Sequence, residues 1–321
     1  MNKELILSLI LGLSTAGCKE SSHPARFTIK LTNDIAQPLA AYPVQIGTFS
    51  YWKPGQGFGT DIWVKEVKST DDSGMVVFDY ASKTGEFGIN FFPGLPKGYY
   101  VTWIPNYKFN KVVYGRWTPE NPVIEVTLRR IRNPIPMYAN TLTNEGGGPL
   151  GIPAAGKDLA YDFEAGDWLA PYGKGKTGDI VFHHTFQKDP SGDCKRVIKI
   201  TFPGKEDGLI VFDRDPWKGS ELRSDYEAPA QGYQPAVTLV QTVIENKMTD
   251  DAKRDRNYYL RVRTKLDENG NIISANYGKI YGDFMTIIYY FNPTPNDRNV
   301  EFDPSRNLLK NQTASQRVRI P

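Results

Sequence analysis

The feature that most constrains this chain is a series of short alternating segments cut apart by turn-forming residues. Phe27-Thr28-Ile29-Lys30-Leu31 puts Phe27, Ile29 and Leu31 on one face of an extended segment, the period of a half-buried strand. Val44-Gln45-Ile46, Ile62-Trp63-Val64, Met75-Val76-Val77-Phe78 and Tyr99-Tyr100-Val101-Thr102-Trp103 continue the series, and Val123 to Leu128 reads as its closing strand. Asn33-Asp34, Lys53-Pro54-Gly55, Asp71-Asp72-Ser73-Gly74 and Pro93 to Gly98 separate them with residues suited to turns. With 29 glycines, 23 prolines and few runs of helix formers, the composition points the same way. Strands at this spacing predict an all-β sandwich.

A chain of 321 residues is long for one core, so two domains are expected. The boundary falls at Arg129-Arg130-Ile131-Arg132-Asn133-Pro134-Ile135-Pro136, where two prolines hold the backbone extended and remove donors. Its arginines read as the solvated end of the last strand. Strand signals return after Leu159, in 179–186, 196–202, 208–212, 236–244, 257–264 and 272–291. The predicted organisation is a signal peptide over 1–17, a tether over 18–25, a first β-sandwich over 26–130 and a linker over 131–156. A second β-rich domain, an antiparallel sandwich or jelly-roll-like barrel, spans 157–305, with at most one short helix near Lys157 to Ala165. A polar tail, ordered in part, closes the chain over 306–321.

The N-terminus has a charged start (Lys3, Glu4), the apolar run Leu5 to Leu13, then Ser14-Thr15-Ala16-Gly17. The run is shorter than the about 20 residues that span a bilayer and has the length of a signal-peptide core. With Cys18 placed directly after Ala16-Gly17, the leader resembles the lipobox of bacterial lipoproteins, although Thr15 stands where that family usually has Leu. The resemblance implies cleavage before Cys18, lipidation there and a membrane partner, at the outer membrane or cell surface rather than the inner membrane. An ordinary secretory leader and an uncleaved anchor are the alternatives. Each buried acyl CH₂ contributes about 0.8 kcal/mol, so several chains hold a protein firmly without a transmembrane helix. Cys194 is then the one cysteine left, which excludes an intrachain disulfide in the mature chain.

A second resemblance covers about a third of the chain. Thr32-Asn33-Asp34 with Pro38-Leu39 and Pro43 to Ile46, then Thr70 to Phe78, then Lys97-Gly98-Tyr99-Tyr100-Val101, look like carboxypeptidase-regulatory-like, transthyretin-like modules. The family's usual glycine before Pro-Leu is absent, and 47–64 is longer than usual. The resemblance implies an Ig/transthyretin-like sandwich and a non-catalytic platform, with no active site to carry over.

The candidate sites are few. Gly173-Lys174-Gly175-Lys176-Thr177 lacks the earlier glycine of a phosphate loop, with Ala170 in its place, and reads as a basic turn. His183-His184 lie side by side on a strand, which points them to opposite faces and argues against a shared metal. Asp267-Glu268-Asn269-Gly270-Asn271 reads as a hairpin turn rather than a calcium loop. Tyr51 to Gly59, with Trp52, is an aromatic, glycine-rich loop that either stacks on a ligand or folds back on the sandwich. The segment 213–227 holds five carboxylates, two arginines and Trp217. Asp213, Asp215, Glu221 and Asp225 are the carboxylates that a glycosidase-like pair would draw on. Solvated surface charge is the plainer reading. Trp52, Trp168, Tyr172, Trp217 and Arg223 are the candidate ligand contacts.

The net charge of +3, without a Lys/Arg block, gives no nucleic-acid footprint. No metal and no cofactor is expected. The sequence supports a lipid-anchored envelope protein whose β domains bind a glycan or an envelope protein or serve as an accessory subunit. A carbohydrate-active enzyme with an acidic site in 213–227 is the alternative.

Overall fold

The structure, a computed structural model, describes residues 21–53, 60–91, 94, 97–143, 149–253, 255–282 and 286–321. The leader, Cys18 and residues 54–59 lie outside them, and Trp52 is placed only as a backbone position in the strand Pro43–Lys53. The fold is all-β, with helical geometry among the described residues confined to the 3₁₀ turns Pro149–Gly151 and Pro304–Arg306. No described helix is long and apolar enough to cross a membrane.

The first domain is a sandwich. One sheet orders Val123–Leu128, His23–Asn33 and Met75–Ser82; the other orders Thr60–Ser69, Pro43–Lys53, Glu86–Phe91 and Tyr107–Lys108. His23–Asn33 runs parallel to the closing strand, Ile29 opposite Ile124, and antiparallel to Met75–Ser82, Phe27 opposite Phe78. The alternation read in the sequence is in phase, since Phe27, Ile29 and Leu31 are buried among Val44, Ile46, Phe78, Phe87 and Leu128. The first strand begins at His23, inside the expected tether, because Ala25 is buried opposite Tyr80.

The second domain packs a five-stranded antiparallel sheet against a six-stranded one. The first orders Tyr138–Leu142, Ile287–Phe291, Ile272–Gly282, Arg256–Leu266 and Gly208–Asp213. The other orders Asp167–Trp168, Asp158–Asp162, Ile180–Lys188, Cys194–Thr201, Ala236–Ile244 and Lys247–Asp250. Leu159, Phe182, Ile198, Tyr258, Leu260, Val262 and Tyr289 share the core between them. Arg263, at a bulge with φ +58°, crosses that core and donates from Nε and Nη2 to the buried Asp179 carboxylate at 2.7 and 3.0 Å.

Two further expectations change, and the allowance of at most one short helix near Lys157 resolves to none. Tyr138–Leu142, placed in the linker, is an edge strand paired with Ile287–Phe291. No helix forms near Lys157; Asp158–Asp162 is a strand, because Leu159 and Tyr161 point alternately into the core. The tail 306–321 is integral. Val318 is buried with Met137, Tyr290 and Phe302, and Tyr290 Oη donates to the Ile320 carbonyl.

That tail is needed because the five-stranded sheet is covered on both faces. From Asn257 to Val262 every side chain is buried. Tyr258, Leu260 and Val262 face the sandwich, while Tyr259 packs with Ala228, Ala275, Tyr277 and Val300 on the far side.

The two domains meet over a buried carboxylate. Glu301, 1% exposed, accepts from the Tyr100 hydroxyl, the Arg132 N–H and the Asn133 N–H, each at 2.7 Å. A short ladder runs alongside it, with Gly219 opposite Trp103, Ser220 opposite Thr102, and Glu221 N–H on the Val101 carbonyl at 2.8 Å. In Glu301→Gln an amide NH₂ replaces one acceptor and meets a donor, so the fold should lose about 1–3 kcal/mol in urea unfolding. A variant as stable as the parent would remove this carboxylate from the account of the junction.

Candidate functional site

The junction opens into a cleft of about 530 Å³ lined from both domains. Asp34, Thr127 and Arg129 come from the first domain and Arg132 from the linker that follows it; Arg214, Lys218, Leu222, Arg223, Asp225 and Tyr226 come from the second. One wall is a clamp around Asp34. Its carboxylate accepts from Arg130 Nε at 2.7 Å, Arg132 Nη2 at 2.6 Å and the Tyr226 hydroxyl at 2.9 Å. Burial alone would raise the Asp34 pKa, but the hydrogen bonds from Arg130, Tyr226 and Arg132 outweigh it and hold the carboxyl at about 2. The Tyr226 ring carries the guanidinium groups of Arg129 at 4.5 Å and Arg132 at 3.9 Å. The arginines expected at a solvated strand end are therefore the fastener of the two domains.

The floor is the segment 222–226, fixed from below by two tyrosines of the five-stranded sheet. Tyr281 Oη accepts the N–H groups of Arg223 and Ser224 at 3.0 and 3.2 Å, and Tyr259 Oη accepts that of Asp225 at 2.6 Å. Arg129 Nη1 bonds the carbonyls of Leu222, at 2.9 Å, and Ser224. Beneath lies the fully buried Lys279, whose Nζ reaches Ser224 Oγ at 3.3 Å and sits over the Tyr281 and Tyr290 rings. Burial pushes the Lys279 pKa down.

The cleft is electropositive. Five cationic side chains face two carboxylates, and the Asp34 carboxylate is already bonded to Arg130 and Arg132. Among the described residues, Arg129, Arg214, Lys218 and Arg223 have no carboxylate within ion-pair distance. Arg223 Nε is buried without a hydrogen-bond partner, and its guanidinium lies over Tyr281 at 4.8 Å. Such an arrangement suits an anion.

Of the residues singled out in the sequence, Trp217, Arg223 and Asp225 come to this junction. The other proposed acids do not line the cleft with Asp225. Asp213 ends the strand Gly208–Asp213 and is exposed. Asp215 Oδ1 accepts from the Trp217 N–H at 2.8 Å and shapes the turn. Glu221 Oε1 accepts from the Val101 N–H at 3.2 Å, and burial pushes its carboxyl up against that bond. Trp168 is buried edge-on to Tyr161 and Phe182, and Tyr172 packs on the same core, so neither stands at the cleft.

The remaining motifs settle locally. The amides of Lys174, Lys176 and Thr177 are bonded to the Asp167 and Asp162 carboxylates, which occupies the donors a phosphate would need. His183 is bonded to Asp158 at 2.6 Å on the surface, and His184 is buried on the other face. Asp267 and Asn271 close a hairpin turn around Gly270 at φ +84°. Cys194 is half-buried and free. No group of three potential metal ligands gathers among the described residues. Asp34, Arg129 and Arg132 are not among the sequence candidates, and their one signal is the density of arginine at the boundary; Lys218 and Tyr226 lie within the segment 213–227 but are not singled out there as contacts.

No family model and no curated protein matches the chain. Among solved structures it is similar to a streptococcal ancillary pilin, with 11% identity and TM-score 0.24 over 74% of this chain and 53% of the pilin. It is also similar to the shaft pilin of Lactobacillus rhamnosus GG (10%, TM-score 0.23, covering 82% of this chain and 94% of that one). The full-length major pilin of Corynebacterium diphtheriae gives 11% identity and TM-score 0.26, covering 88% and 84%. The chain thus spans about half of the streptococcal protein, and similarity at these scores carries no argument about function.

The clamp makes a prediction with a defined sign. The Asp34 carboxyl is held below its ordinary 3.8, so the folded state favours the ionised form. Its contribution is present above pH 3.8 and lost as pH falls toward about 2. With part of the shift screened by solvent, it is worth about 1–2 kcal/mol. Acid unfolding followed by tryptophan fluorescence should show this step in the parent and lack it in Asp34→Asn; superimposable acid limbs would refute the assignment.

Proposed function

We propose that this chain is a non-catalytic protein of the cell envelope, tethered through a lipidated Cys18, whose interdomain cleft binds a polyanionic ligand. The observation that carries the binding assignment is the convergence of Arg129, Arg214, Lys218 and Arg223 on one cleft without carboxylate partners among the described residues. Uncompensated cations crowded together repel one another, and a bound anion relieves that repulsion while gaining charge-assisted hydrogen bonds. The regulatory-like first domain suits a platform role, and its contribution of Asp34 and Arg129 makes it part of the site. The lipobox-like leader supports the tether.

The binding assignment is tested on the full-length chain in nonionic detergent, titrated with polyphosphate and with polygalacturonate. Binding should weaken as salt rises, because exposed charges are screened over about 10 Å at 0.1 M. The double variant Arg214→Glu/Arg223→Glu should weaken it by about tenfold or more. Binding insensitive to both salt and charge reversal would overturn the reading.

The tether has a separate test. Cys18→Ser should move the protein from the membrane fraction to the soluble fraction or block its maturation. Unchanged membrane retention would sink the lipid anchor and leave the cleft untouched.

A further inference from the structure

The cleft continues past Lys218. Thr127, Lys218 and Gly219 line both it and a second hollow of about 410 Å³ walled by Trp103, Ile104 and Tyr107. The two hollows therefore form one groove, basic at one end and aromatic at the other, where the Glu125 carboxylate on the wall is paired with Lys30 at 3.4 Å. At the aromatic end the half-exposed indole of Trp103 (47% exposed) lines the hollow, and Trp217 (56%) packs against it with centroids 5.9 Å apart and planes at 68°. They belong to different domains and are brought together by the pairing of Gly219 with Trp103. Gly219 sits at φ +84°, and the Asp215 carboxylate fixes the turn that presents Trp217 and Lys218. A half-exposed indole beside cations that have no carboxylate partner among the described residues is a recognition feature rather than a packing one.

We propose that this groove binds a linear acidic polysaccharide. It stacks the C–H face of a sugar ring on Trp103 while carboxylate or sulfate groups of neighbouring sugars engage Lys218, Arg214 and Arg223. The proposal rests on the polyanion reading and deepens it. A pyranose ring offers an apolar face to an indole and keeps its hydroxyls in water, while its anionic groups meet the cations further along the chain. An acidic peptide is the poorer match, because the Val101 and Glu221 groups at the rim are bonded to each other and do not offer a strand to extend.

The test uses the full-length chain and three probes: oligogalacturonate, polyphosphate and polyglutamate. Trp103→Ala should weaken oligogalacturonate about tenfold, the scale of one aromatic stacking contact, and change polyphosphate by less than about twofold. Trp103→Tyr, which keeps an aromatic face, should restore most of the loss. Retained polyphosphate affinity shows that the Ala variant is folded. An oligogalacturonate affinity indifferent to Trp103, or an equal loss for oligogalacturonate and polyphosphate, would overturn the polysaccharide assignment and leave the anion cleft standing. Polyglutamate binding as tight as oligogalacturonate, with the same Trp103 dependence, would overturn it in favour of an acidic peptide. If no probe binds the parent, the polyanion reading itself has failed.

Discussion

The structure depends on a buried carboxylate that belongs to both domains. Glu301 comes from the far end of the chain, and its three donors come from Tyr100, Arg132 and Asn133. A carboxylate taken out of water is costly unless its acceptor sites are filled, and here one oxygen receives short bonds from Tyr100 of the other domain and from Arg132, and the second from Asn133 in the linker. Separating the domains would leave that group and the Asp34 clamp to find new partners. An apolar seam could slide; one built of directed bonds to fixed backbone amides has a single register. The groove inherits that precision, because Arg129 and Arg132 line it on the same strand end that satisfies Glu301.

The charge of the groove reverses what its sequence suggests. Residues 213–227 hold more carboxylates than arginines, yet the surface they build is basic. Three of the five acids are engaged: Asp215 caps its turn, Glu221 bonds the Val101 N–H, and Glu227 pairs with Arg298 at 2.9 Å. Arg214, Lys218 and Arg223 have no carboxylate partner among the described residues. Net charge along a segment therefore says little about the potential at a surface, since each carboxylate used to shape the loop is partly neutralised by the bond it makes.

Legibility in the sequence followed periodicity. The strands of the first domain could be read because one face of each is wet, so Phe27, Ile29 and Leu31 alternate with polar residues. The far face of the five-stranded sheet could not be read in the same way. Its cover is an irregular chain whose buried side chains, Ala228, Val300 to Phe302 and Val318, are unevenly spaced and have no period to detect. That is why the tail reads as polar surface and the strand Tyr138–Leu142 as linker in the sequence. Among the aromatics, sequence could not separate Trp168 from Trp217: one fills the core and the other stands at the groove. The clamp was hidden by distance, because Asp34 and Tyr226 are 192 residues apart.

The floor of the groove is pre-set before any ligand arrives. Three consecutive amides, of Arg223, Ser224 and Asp225, are held by the hydroxyls of Tyr281 and Tyr259, which project from the buried sheet. The Arg223 side chain thus leaves from a backbone that cannot drift, and the cost of ordering it has been met in folding rather than in binding. The opposite wall belongs to the other domain, so the full groove exists only in the docked arrangement. A ligand that touches both walls gains contacts in that state alone and must stabilise it by the same free energy. Recognition and the setting of the two domains are therefore one equilibrium, in which Glu301, without touching the ligand, helps to decide whether the groove exists.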